Sequence, residues 1–268
     1  MTRNRSDYLA LLGLTEWVRR DASGDHRETV EPDLERAVPV ASAAPEPEAA
    51  SPEPPLEATA SAVVSRPPPP VAATPVEREP VAEDWEGLAA QVASCTACAL
   101  HETRTQAVFG VGQRQAELML VGEGPGEQED LRGEPFVGAA GQLLDQMLAA
   151  IGQSRKSTVY IANVVKCRPP GNRKPHAAEA GACRDFLEAQ IRLVQPKLIV
   201  ALGQVAAAGL LGEDAPVGRM RQGAHMHAAT QTPVIVTYHP AYYLRQPLEK
   251  RKGWEDLKRI RAQLTAST

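Results

Sequence analysis

From about residue 83 onward, short unbroken apolar runs alternate with stretches whose apolar residues recur every three or four positions. The unbroken runs are Leu118–Val121, Val159–Val165, Leu198–Leu202 and Val234–Tyr238, all rich in β-branched residues. The helical stretches are Gln142–Ile151, Ala177–Val194 and Gln204–Leu211. Strands without polar alternation are buried on both faces, so this order predicts an α/β fold whose mostly parallel sheet is covered by helices on each side. In such folds ligands sit beyond the carboxyl ends of the strands. The unusual residues cluster there: Gly122 to Asp130 after the first strand, Asn163 and Lys166-Cys167 after the second, Gly203 after the third, and His239-Pro240 after the fourth.

The N-terminal third reads differently. Tyr8, Leu11, Leu12, Leu14, Trp17 and Val18 have helical spacing, which predicts a short amphipathic helix within residues 1–20. Residues 21–82 hold 13 of the chain's 23 prolines among Ala, Glu and Ser, the composition of a disordered, semi-extended linker. The helix either packs loosely on the main domain or docks a protein partner through Trp17 and its leucines. A domain over 83–268 then carries the core. The net charge of -4 hides an asymmetry: residues 1–82 have 8 Lys/Arg against 14 Asp/Glu, and the remainder 21 against 19. The folded part is therefore mildly basic. No apolar run reaches the ~18–20 residues that span a bilayer. The start lacks a signal-peptide cleavage pattern, so a cytoplasmic protein without membrane contact is expected, and we expect a monomer.

Four cysteines are the chain's whole supply: a Cys-x2-Cys pair, Cys95 and Cys98, and a second pair, Cys167 and Cys183. The second pair brackets Arg168-Pro-Pro-Gly-Asn-Arg-Lys-Pro175, too basic and too rich in Pro and Gly for a helix or strand. Four soft ligands in two groups read as one metal centre joining distant segments, and spacing alone leaves zinc and iron–sulfur both open. Two disulfides or ordinary buried thiols are the alternative, and disulfides are uncommon in a cytosolic chain.

The turn Gly122-x-Gly124-Pro125-Gly126 first suggests a phosphate cradle and then fails as one. Pro125 removes an amide donor, and Glu127, Glu129 and Asp130 follow where a phosphate would be repelled. A flat neutral ring with polar edges suits it better, with Glu123 at the strand tip. Phe136 lies between Pro135 and glycines. It either plugs the core or forms a platform on which a base stacks. His239 closes the last strand, and Tyr242, Tyr243, Leu244 and Arg245 behind it have the make-up of a wedge into nucleic acid. Lys250-Arg-Lys252 and Lys258-Arg-x-Arg261 read as a solvated helix face.

Together, Gly122-Glu-Gly-Pro-Gly-Glu-Gln-Glu-Asp130, Glu134-Pro-Phe-Val-Gly-Ala-Ala-Gly141, Asn163-Val-Val-Lys-Cys-Arg-Pro-Pro170 and His239-Pro-Ala-Tyr-Tyr243 resemble the family 4 uracil-DNA glycosylases. The resemblance runs from about residue 90 to 260. It implies a three-layer α/β/α sandwich that flips uracil out of DNA and hydrolyses its N-glycosidic bond in base excision repair. It further implies that Cys95, Cys98, Cys167 and Cys183 ligate a [4Fe–4S] cluster. By the same resemblance Phe136 stacks on the base, Asn163 bonds its edge, Glu123 excludes a 5-methyl group, and His239 donates to O2 of the leaving uracil. Gly122, Gly124 and Pro125 form the pocket wall. Tyr242, Tyr243, Leu244 and Arg245 fill the gap in the DNA, with Arg168 beside them. Related families position water with an Asp where this chain has Gly124, which leaves Glu127 or Glu129 for that task.

Two other enzymes stay in view, a glycosylase of broader base specificity and a relative that traps uracil-DNA covalently. The latter carries a basic insertion that Gln128–Gly141 lacks. A different class is a DNA-binding accessory module with the cluster as scaffold, attached to a polymerase through the N-terminal helix. Phe136, Asn163 and His239 together argue against a dead pocket.

Overall fold

The computed structural model of this chain describes residues 80–266. The helix expected within 1–20 and nearly all of the expected linker lie outside the described residues. The linker's last residues do not: Gln91 accepts from the amide of Ala82 at 2.8 Å and donates to the carbonyl of Pro80 at 3.1 Å. The folded domain thus begins a few residues before the expected boundary.

A six-stranded sheet runs β1 (Val111–Gly112), β3 (Val159–Asn163), β2 (Leu118–Gly122), β4 (Leu198–Leu202), β6 (Pro233–Thr237), β5 (His225–Met226). The four inner strands are parallel, and a two-residue antiparallel strand borders each edge. The inner strands match the four apolar runs. The two edge strands are too short to leave a periodic trace in the sequence. Chain order reverses beside β2, with β3 on one side and β4 on the other, so ligand-binding loops converge over the carboxyl ends there.

Alternate strand residues feed two cores. Met119, Val121, Tyr160, Ala162, Ile199, Ala201, Val234 and Val236 face one layer, where α4 (Ala177–Val194) and α5 (Gln204–Leu211) pack, with α1 (Trp85–Ser94) against α4. Leu118, Leu120, Val159, Ile161, Leu198, Val200, Leu202 and Ile235 face the other, covered by α3 (Ala139–Ala150) and α8 (Lys250–Ala266). This is the three-layer sandwich expected. On α8, Leu257, Ile260 and Leu264 point inward while Lys258 and Arg261 stay exposed, the solvated basic face read from sequence. Short helices α2 (Glu127–Arg132), α6 (Val217–Met220) and α7 (Pro240–Arg245) complete the description.

Candidate active site

The site is built on the tip of β2. Gly122 pairs with Asn163 of β3, and a Cβ at 122 would overlap the Asn163 amide oxygen and come within 2.7 Å of the Phe136 ring. Only glycine lets these two side chains meet over the strand end. Asn163 is 2% exposed, and its Oδ1 has no hydrogen-bond partner. A buried acceptor left unpaired costs about 1–3 kcal/mol, a cost that a ligand's N–H donor would remove.

Phe136 adopts a left-handed backbone, φ 57°, which few side chains tolerate. Its surroundings hold it there. Arg155 donates to the carbonyls of Pro135 and Phe136 at 2.9 and 2.6 Å while its Nε is fixed by Asp145 at 2.6 Å. Glu129 Oε1 accepts from the amides of Val137 and Gly138 at 2.9 and 3.0 Å, and its Oε2 from Gly126 at 3.1 Å. One carboxylate thus staples the glycine turn to the loop bearing Phe136. Asp130 does similar work, accepting from the amides of Thr105 and Gln106. Both acids entered the sequence reading as charges repelling phosphate, Glu129 also as a candidate to position water; their bonds to the amides of residues 137–138 and 105–106 had no local signature.

His239 stacks on Phe136 with ring centroids 5.3 Å apart and 28° between planes. Its Nδ1 accepts from the Ala241 amide at 3.2 Å, so the neutral ring carries its proton on Nε2. Burial, with the charge of Arg245 adding to it and Glu129 opposing, lowers the imidazole pKa to about 4. At neutral pH His239 is therefore an uncharged donor. Burial also raises the Glu123 carboxyl above its usual range, and Lys174 pulls the other way.

Glu123, Gly124, Pro125, Phe136, Asn163, His239 and Arg245 line one cleft of about 540 Å³. Glu129, Asn172, Arg173 and Lys174 share it. Arg173 and Lys174 were noted in the sequence only as part of a basic loop; the fold folds that loop over the cleft. Arg173 is fixed by a bidentate pair with Glu179, 2.7 and 2.8 Å, and this arginine first of all holds the Glu179 carboxyl down at about 2. Arg168 is half-buried and donates from Nε to Asn172 at 2.8 Å, bracing the same loop.

The wedge needs one correction. Tyr243 does not face solvent: it is 1% exposed, lies in the core under α8, and its hydroxyl meets Thr237 at 3.2 Å. Residues 239–245 form a helical turn, and neighbours on a helix point about 100° apart, so two adjacent tyrosines do not share one outer face. Tyr242 is half-buried, stacked on Tyr238 at 4.6 Å. Leu244, 43% exposed, and the exposed Arg245 remain on the surface.

Cys95, Cys98, Cys167 and Cys183 surround a single small cavity walled by Val92 and Phe186. Arg104 donates to Cys167 Sγ at 2.9 Å, and the Lys166 amide to Cys183 Sγ at 3.3 Å, contacts that suit sulfur carrying negative charge. Burial raises both thiols above their ordinary range, Cys183 to about 11, while Arg104 beside Cys167 and Lys166 beside Cys183 pull the other way. Among the described residues no three such side chains stand close enough to grip a single metal ion.

Residues 109–258 match the family described as the uracil DNA glycosylase superfamily. The chain is 42% identical over 184 residues to a type-4 uracil-DNA glycosylase of Archaeoglobus fulgidus, covering 66% of this chain and 92% of that one. It is 46% identical over 164 residues to the type-4 enzyme of Thermotoga maritima, covering 61% and 84%. A type-5 uracil-DNA glycosylase of Thermus thermophilus is more distant, 32% identical over 149 residues, 49% of this chain and 68% of that one. The family match covers more than half of the chain, and the chain belongs to the uracil-DNA glycosylase superfamily, with type-4 enzymes among its relatives.

Proposed function

We propose that this protein excises uracil from DNA, cleaving the N-glycosidic bond and leaving an abasic site. The observation that carries the reading is the buried, unpaired Asn163 Oδ1 in the same cleft as a neutral His239 donor and the Phe136 ring. Uracil presents an N3–H donor to the first, a carbonyl to the second and a flat face to the third. Cytosine presents the reversed donor pattern to an amide in this orientation. As the bond breaks, charge builds on the base, and His239 Nε2–H meets it where it develops without first losing a proton. The basic loop and Arg245 offer positive charge to the phosphates that flank an extruded nucleotide. Of the two acids considered for water, only Glu129 lines the cleft, and its Oε2 carries a single amide bond. We assign the water to it. Leu244 and Arg245 are the exposed elements that fill the vacated stack.

In this reading the four cysteines hold a [4Fe–4S] cluster, a core whose corner ligands stand farther apart than those around one ion. Its support is the shared cavity and the two N–H donors to sulfur. When bound, the cluster supplies a rigid cross-link between distant segments; the bond chemistry belongs to the cleft. Among the described residues no helix is long and apolar enough to cross a membrane, and a substrate of cellular DNA fits the cytoplasmic location expected from sequence.

Incubating the purified protein with uracil-containing single- and double-stranded oligonucleotides, followed by alkaline strand cleavage, tests the activity. Iron-to-protein ratio measured on the same preparation tests the cofactor. Intact strands from an iron-loaded preparation would refute the enzyme reading. Glu123→Ala gives a sharper result: discrimination against thymine opposite guanine relaxes by about 10–200-fold, the scale of one methyl-sized contact, while uracil excision falls by less than about tenfold. A variant that still ignores thymine shows that Glu123 is not the steric gate.

A further inference from the structure

Lys166 is among the largest fully buried side chains of the protein, 1% exposed, and the chemistry above makes no use of it. A buried ammonium is rare because its desolvation must be offset by well-placed partners. Here the partners are specific: Nζ donates to the backbone carbonyl of Asn163 at 2.8 Å and to Gln190 Oε1 at 2.6 Å. Edge strand β1 pairs only with Tyr160 and Ile161, so it stops short of the outer flank of β3 at Asn163. On the other flank, Val164 and Val165 donate to Gly122 and Glu123 at 2.9 and 3.2 Å. Gln190 is fixed in turn, donating from Nε2 to Phe109 O at 2.8 Å and to the Tyr160 hydroxyl at 3.2 Å. It lies two helical turns beyond Cys183 on α4, so the Lys166 ammonium is joined to the helix that carries that cysteine.

We propose that Lys166 is a positioning residue: its ammonium grips the Asn163 carbonyl from behind, fixes the strand end so that Oδ1 faces the base, and ties that aim to the helix carrying Cys183. This rests on the uracil-excision reading and adds to it the part that sets Asn163. The metal centre thereby reaches the base pocket through one lysine and one glutamine.

The test is Lys166→Met, which keeps the buried stem and removes the donor, assayed on iron-loaded protein beside wild type. Single-turnover excision per iron-loaded molecule should fall about 10–100-fold, the scale of an ångström-sized misplacement, with KM for DNA within about twofold and inhibition by free uracil weakened in parallel. A merely structural lysine would lower yield and melting temperature but leave the rate of loaded molecules and uracil inhibition at wild-type values, and that result overturns the proposal. Gln190→Met, outside the wall of the cysteine cavity, should shift the rate and uracil inhibition the same way, about 3–10-fold. Should Lys166→Met fail to load iron, Gln190→Met decides alone, and wild-type values from it also overturn the proposal. Lack of excision by wild type would instead sink the parent reading.

Discussion

His239→Ala lowers single-turnover uracil release by about 10²–10³-fold while iron content stays unchanged, the loss typical of removing one donor aimed at developing charge. The variant also loses the cap that Nδ1 gives α7, a stability cost of about 0.5–2 kcal/mol, so melting temperature drops modestly beside a large rate effect. Its pH dependence separates the neutral-donor mechanism from a cationic one. The imidazole titrates near 4 in the folded protein against an ordinary 6.5. The rate should therefore run level from pH 8 down through 6.5 and decline only on approach to 4. A step centred near 6.5 would mean that the ring is exposed to solvent and that the stacked, buried geometry is wrong. The same shift bears on stability with a definite sign. Above 6.5 neither folded nor unfolded chain holds the proton; below it the unfolded chain binds it first, so His239 withdraws stability progressively between 6.5 and 4.

Gly141→Ala, outside the cleft lining, should cost about 10²-fold in excision. A Cβ at 141 would overlap the carbonyl of Phe136, which is backbone and has nowhere to retreat, because Arg155 bonds that same carbonyl. The first turn of α3 must then move away, or Phe136 must leave φ 57° and carry its ring off His239. Overpacking of this kind costs about 1–3 kcal/mol, so the protein still folds. A crystal structure of the variant with Phe136 in place and wild-type kinetics would show that the left-handed turn is not held by that glycine. Gly152→Ala makes the control, since nothing lies near its missing Cβ and only its positive φ opposes the substitution.

Much of this was legible in the chain because parallel strands buried on both faces leave unbroken apolar runs. All four inner strands and the helices Ala177–Val194 and Gln204–Leu211 appear where the periodicity puts them. The start of α3 was hidden: Ala139-Ala140-Gly141 follows a glycine and reads as loop, whereas Gly138 caps the helix. Phe136 was a choice between core plug and base platform; it packs in the core at 6% exposed and also lines the cleft, so its burial did not decide between them. Tyr243 failed for a reason visible afterwards, since a helical turn gives adjacent residues opposite fates. What the sequence withheld was mostly long-range: Glu129 bonding amides up to nine residues away, Lys166 reaching back to Asn163 and across to Gln190. Such pairings have no periodicity and become visible only when the chain is folded.

Both edges of the sheet end in strands of two residues, β1 and β5. An exposed strand edge is a template on which another chain adds by backbone pairing, and long flat edges seed aggregation. Here the template at each side is shorter than the strand lengths that sustain such pairing. Borders this short give an incoming strand little backbone to pair with, which disfavours fibre growth from either side.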